Sequence, residues 1–140
     1  MPNPRSACTP SVPGRCCAAG LLKGRCATTH WASDQFLKYF GAKLIDKRVV
    51  IDGTLVSAAG LTAGIDGALV VASLLRGKEA AKAIQLDIQY APEPPFDCGL
   101  PEKAPAEIVA KLKRDSEKLT ARRLATAKRV AAKLKVRVEE

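Results

Sequence analysis

The stretch "RVVIDGTLVSAAGLTAGIDGALVVASLLRG", residues 48–77, constrains the fold more than any other part of the chain. Two short runs rich in β-branched and apolar residues flank an Asp-Gly pair. Asp-Gly readily adopts the positive φ angles of a two-residue hairpin turn, so the spacing predicts strands at 48–51 and 54–57. Residues 61–77 follow, apolar on nearly every side and closed by Gly77. A helix with so little polar surface is normally covered by other elements. The pattern therefore places Ile65, Ala68, Leu69, Ala72 and Leu75 in the core.

Other segments carry weaker signals. "CCAAGLLKG" (16–24) reads as the end of a helix, with Gly20 or Gly24 at its stop, and "RCATT" (25–29) as a short buried strand. "WASDQFLKYF" (31–40) has Trp31, Phe36, Leu37 and Phe40 near one helical face, and Gly41 ends it. "KEAAKAIQLDIQY" (78–90) reads as an amphipathic helix that offers Ala80, Ala83, Ile84, Leu86 and Ile88 for packing. Five prolines stiffen the connector 91–105. From Ala106 a single long helix is expected, with a sparse stripe of Ile108, Leu112, Leu119, Ala127, Val130 and Leu134. Residues 1–17, with Pro2, Pro4, Pro10 and Pro13, read as irregular. Three regions result: an irregular segment 1–17, an α/β domain 18–105 and a basic C-terminal helix 106–140.

The 140 residues carry a formal net charge of +9. Residues 102–140 hold 12 Lys/Arg against 6 Asp/Glu, so most of the excess lies in the tail. No aromatic residues interleave with those cations, which argues for a solvated helix face and against nucleic acid as a partner. No apolar run reaches the roughly 18–20 residues of a membrane span, and the N-terminus has no apolar core of a secretory signal. A cytoplasmic protein without membrane partners is the expectation. The five cysteines are Cys8, Cys16, Cys17, Cys26 and Cys98. Their irregular spacing, with one histidine in the whole chain, supplies neither a zinc ligand set nor a disulfide framework. Neither a metal nor a cofactor is expected.

That one histidine is His30, in "GRCATTHW". A lone histidine after a strand is more often a packing or surface residue than a catalytic one. Its context changes the weighing. The segments "GLLKGRCATTHW", "RVVIDGTLVSAAGLTAGIDGALVVASLLRG" and "AIQLDIQYAPEPPFDCGLPEKAP" resemble the ThiJ/PfpI superfamily of class I glutamine-amidotransferase-like proteins, over about Gly20 to Pro105. The proline-rich "YAPEPPFDCG" is similar to the isonitrile hydratase subgroup in particular. Amidotransferase-like domains of AraC-type regulators share "ATTHW" and "TAGID" but continue into a DNA-binding domain.

The resemblance implies an α/β flavodoxin-like three-layer sandwich, usually a homodimer, of which this chain would be the C-terminal portion. It implies a small-molecule substrate, an isonitrile or a related electrophile, and a cysteine nucleophile on a strand-to-helix elbow. Carried over residue by residue, Cys8 with Thr9 fits the elbow dipeptide, and His30 fits the histidine that lines the pocket or donates a proton. Asp66 in "TAGID" is read as structural. The family pattern at the elbow is Cys-Thr-Gly-Ser followed by a helix. Here the chain reads "CTPSVPGRCCAAGLL", two residues longer, with Pro10 and Pro13 where that helix would start. Cys16 and Cys17 are alternatives in chemistry only, because they fall inside a helix end. No residue is assigned as the catalytic acid. The competing expectations are a non-catalytic fragment or interaction protein of the same fold, or the amidotransferase-like part of an AraC-type regulator.

Overall fold

A computed structural model describes residues 6–8, 17 and 19–138. Its organising element is the hairpin of β4 (Val49–Asp52) and β5 (Leu55–Ala58), antiparallel with Val49 opposite Ala58 and Asp52 opposite Leu55. The loop is thus Gly53-Thr54, one residue later than the Asp-Gly reading, and only Gly53 takes a positive φ, of 60°. Glycine at the first loop position is the type II′ pattern. The physical reason for the shift is the work Asp52 does. Its Oδ2 accepts from the Cys26 N–H at 2.7 Å, and Oδ1 accepts from Arg25 Nη1 at 3.4 Å. Asp52 closes the strand and pins the next one.

Strand β5 is the middle of a three-stranded sheet ordered β1-β5-β4, with β1 (Ser6–Cys8) parallel to β5. This strand stands inside the segment read as irregular. A second, two-stranded parallel sheet joins β2 (Cys26–Ala27) to β3 (Lys43–Leu44). The crossover between them is a 3-10 helix, Trp31–Phe40, stopped by Gly41 at φ 71°. A ten-residue 3-10 helix is long for its type. Its three-fold repeat stacks Ser33 on Phe36 and Leu37 on Phe40, and all four are buried. Phe36, Leu37 and Phe40 pack with Leu22, Ala27, Leu55 and Ala127 to form the core, and Cys17 is buried among them. Trp31 is half-buried.

Four α-helices follow: α1 (Gly60–Arg76), α2 (Lys78–Asp87), α3 (Ala106–Asp115) and α4 (Glu117–Leu134). The helix expected at 106–134 is broken at Ser116, whose hydroxyl donates to the Leu112 and Lys113 carbonyls. Such back-bonding bends and ends helices.

The largest correction concerns the face of α1. It rests on β5 through Gly60, Ala63 and Gly67. A Cβ on Gly67 would lie 3.1 Å from the Ala58 Cβ. The small residues permit this close approach, so the bulky ones point elsewhere. Ile65 and Leu75 are 38% and 51% exposed. Ala68 is exposed as well, and Leu69 and Ala72 are half-buried. On α2 only Ala81 is buried, and Ala83, Ile84, Leu86 and Ile88 are exposed, with Ala80 half-buried.

Candidate active site

Strand β1 ends at Cys8, and its register sets Cys8 opposite Ser57 on β5. The Ser57 hydroxyl is buried and accepts the Thr28 N–H at 3.1 Å. Thr28 continues β2, and two residues later the chain reaches His30. The carboxyl ends of β1, β2 and β5 thus converge, which is where open α/β sheets place ligands. The pairing is long-range, and it unites two of the expected site residues at one end of the sheets. Thr9, Pro10 and Pro13 lie outside the described residues, and of Cys8 the backbone alone is described.

His30 caps the 3-10 helix from an extended backbone conformation, φ −60° and ψ 137°. Its Nδ1 accepts the Ala32 N–H at 3.2 Å. An accepting Nδ1 carries no proton, so the neutral ring keeps its proton on Nε2. The Cδ2 edge, next to Nε2, lies against Gly60, where an added Cβ would be 3.3 Å away. Gly60 also has φ 78°. Trp31 flanks the imidazole at a ring distance of 5.3 Å. Thr28, Thr29, Ser33 and Ser57 are buried polar residues in an otherwise apolar interior. Ser57 and Gly60 were not singled out by sequence. Their signal was a serine in an apolar strand and a glycine just after it, in "LVSAAG".

Asp66 plays the structural part expected of it. Arg48 Nε donates to Asp66 Oδ2, Arg48 Nη2 donates to Thr62 at 3.2 Å, and the Tyr90 hydroxyl donates to Asp66 Oδ1 at 2.8 Å. This cluster fastens the hairpin to α1 and to the residues after α2. The hydrogen bond to Asp66 raises the Tyr90 phenol above its ordinary value, and the same carboxylate raises the Arg48 guanidinium. A cleft of about 540 Å³ opens beside Trp31, between Asp34 and Gln35 on one side and Lys113, Ser116 and Thr120 on the other. His30 does not line it. Cys26 is half-buried and Cys98 exposed. Among the described residues no three of His, Cys, Asp and Glu gather into a metal-binding group. No described helix is long and apolar enough to cross a membrane.

The mixed α/β fold is shared with known proteins. Residues 13–74 match the model of the DJ-1/PfpI family. The structure resembles a ThiJ/PfpI family protein from Pseudomonas syringae, with TM-score 0.73 and 37% identity over 83% of this chain and 46% of that one. The particular relative is an isonitrile hydratase of Pseudomonas putida, 45% identical over 120 residues. That similarity covers 86% of this chain, so it reaches well beyond Gly20 to Pro105. The chain spans about half of the relative's length, 53%. The flavodoxin-like α/β expectation is met by the described elements and by this structural neighbour.

Proposed function

We propose that the strand-end site belongs to an isonitrile hydratase-type protein of the ThiJ/PfpI group, with a small organic isonitrile as substrate. The observation that carries this reading is the register of Cys8 against Ser57, whose hydroxyl holds Thr28 two residues before His30, in a chain 45% identical over 120 residues to an isonitrile hydratase. The thiolate of Cys8 attacks the terminal isonitrile carbon and forms a C–S bond. That carbon gains a proton, giving a thioimidate, R–N=CH–S–Cys. Water then adds to the same carbon, and the C–S bond breaks to return the thiolate. The product is the N-substituted formamide, R–NH–CHO. His30, with its proton on Nε2, is the proton donor or pocket wall, and Thr9 follows the nucleophile in the sequence. The site uses no metal or cofactor, and the protein works in the cytoplasm as a homodimer.

Turnover by this chain is expected to be slow. An unassisted thiol has a pKa of about 8.5 and is only a few per cent ionised at neutral pH. A helix start after the nucleophile would lower that value, and Pro10 and Pro13 oppose one there. The test is formamide production from a small alkyl isonitrile between pH 6 and 9. Slow turnover that rises with pH and vanishes in Cys8→Ser supports the reading. Turnover equal in Cys8→Ser would refute it.

A second reading, a non-catalytic interaction protein of the same fold, is favoured by one observation. Leu61 and Leu86 are 82% and 80% exposed on α1 and α2. Complete absence of formamide, together with stable pairing to another chain through this face, would favour that reading.

A further inference from the structure

Helix α4 carries a charge pattern unlike the rest of the molecule. Between Lys118 and Arg137 there are eight cations and no acidic residue. None of the eight forms an ion pair among the described residues; the ion pairs found there join Arg25 to Asp52, Arg48 to Asp66, Lys82 to Glu79 and Lys103 to Asp97. At 3.6 residues per turn, Lys118, Arg122, Arg129 and Lys133 fall within a sector of about 60°. All four are exposed. The buried side of the same helix is marked by Ala127 and Ala131, on the opposite side. It packs on the 3-10 helix, with Leu124 and Val130 against the core. The cationic row therefore faces water along its whole length, roughly 22 Å at 1.5 Å per residue.

This row works against the helix that bears it. Lys118 and Arg122 are a like-charge pair at i,i+4, and so are Arg129 and Lys133; such pairs destabilise a helix. Lys118 also sits in the first turn, where the helix dipole disfavours a cation. Complementing the dipole explains Lys133 in the last turn and nothing further along the row. A neighbouring helix shows the ordinary pattern: α3 alternates Glu107, Lys111 and Asp115 at i,i+4 spacing.

We propose that the row on α4 is a docking surface for the phosphate backbone of duplex nucleic acid, independent of base sequence. Each strand of duplex DNA carries one phosphate charge about every 3.4 Å of axis, a dense run of charge that a cationic row of this length can meet at several points. Ala125 and Ala132 lie between the cations. They are too small to insert into a bilayer, and surface-lying membrane helices need Trp, Phe or Leu for that. The helix's own apolar side is already packed on the core. No aromatic residue is present on α4 for stacking on single strands. The absence of interleaved aromatics argued against nucleic acid at the sequence level; it removes base stacking, whereas phosphate contact needs only the uncompensated row that the fold exposes.

The test is fluorescence anisotropy with the full chain and labelled 20-base-pair duplexes of unrelated sequence. Four phosphate contacts predict a slope of about −3.6 in log K against log salt, or about 150-fold weaker binding at 200 mM than at 50 mM. Affinity should be equal across sequences. Lys118→Gln, Arg122→Gln, Arg129→Gln and Lys133→Gln together should abolish binding while circular dichroism keeps its helical signal, since Gln is a good helix former. The charge-preserving pair Arg122→Lys and Arg129→Lys should keep the slope. So should removal of the α3 cations by Lys111→Gln, Lys113→Gln and Arg114→Gln. Absence of duplex binding at 50 mM salt overturns the proposal. So does binding that survives the four Gln substitutions, or that occurs only with phosphatidylserine vesicles or poly-glutamate.

Discussion

Gly60 sits where two demands meet. Its φ of 78° suits glycine, and the His30 ring lies against its α-carbon. In Gly60→Ala the new methyl would both strain the backbone and press on the imidazole. The expected cost is about 1–2 kcal/mol from the left-handed backbone alone, read by urea denaturation. Asp52 is a second such point. Its carboxylate holds the Cys26 N–H and Arg25, so Asp52→Ala should cost about 1.5–3 kcal/mol, seen as a lower urea midpoint with the slope unchanged. Tyr90 gives a pH test. Its phenol is raised by the hydrogen bond to Asp66. The stability it contributes is therefore complete below the unfolded value of about 10, and it is lost as pH rises through the higher folded value. Tyr90→Phe should flatten the fall in stability above pH 10. An unchanged alkaline limb would exclude the contact. His30 was legible in sequence through "ATTHW". Ser57 was not, because its importance depends on a parallel pairing with Cys8 across 48 intervening residues.

At the scale of elements, the sequence identified what forms more reliably than how it packs. The hairpin and both following helices were readable from Asp52-Gly53 and from the apolar run. The turn moved by one residue because Asp52 had a partner that lay outside any local window. Helix α1 was assigned its face from its bulkiest residues, whereas the fold uses its smallest. Glycine and alanine contribute little to a hydrophobic pattern, yet they decide how closely a helix approaches a strand. The break at Ser116 was missed because a serine within a helical pattern does not reveal that its hydroxyl will bond back to the preceding turn. The face of α1 can be tested by a pair of substitutions. Leu61→Ala should change stability by less than about 0.5 kcal/mol, as exposed sites do. Ala63→Leu, at a fully buried site on α1, should cost about 1–3 kcal/mol or more by overpacking. The reverse ranking would restore the face that the hydrophobic pattern suggested.

Across the whole molecule, apolar surface is divided unevenly. One core joins the 3-10 helix, β5 and α4, while α1 and α2 leave Leu61, Leu75, Leu86 and Ile88 more than half exposed. Exposed apolar side chains in such number promote association. Sedimentation velocity should show concentration-dependent self-association, weakened in the double variant Leu61→Ser with Leu86→Ser. A monomer at every concentration would mean that the face is tolerated in water. The catalytic reading is a separate matter, and it rests on Cys8 as the atom that meets the substrate. The most direct measurement is peptide mapping after an acid quench of the protein with an alkyl isonitrile at pH 9, where the thiolate is abundant. The account predicts a mass gain equal to one isonitrile on the peptide containing Cys8, and none on peptides containing only Cys16, Cys17, Cys26 or Cys98. An adduct on one of those cysteines with Cys8 unmodified would contradict it.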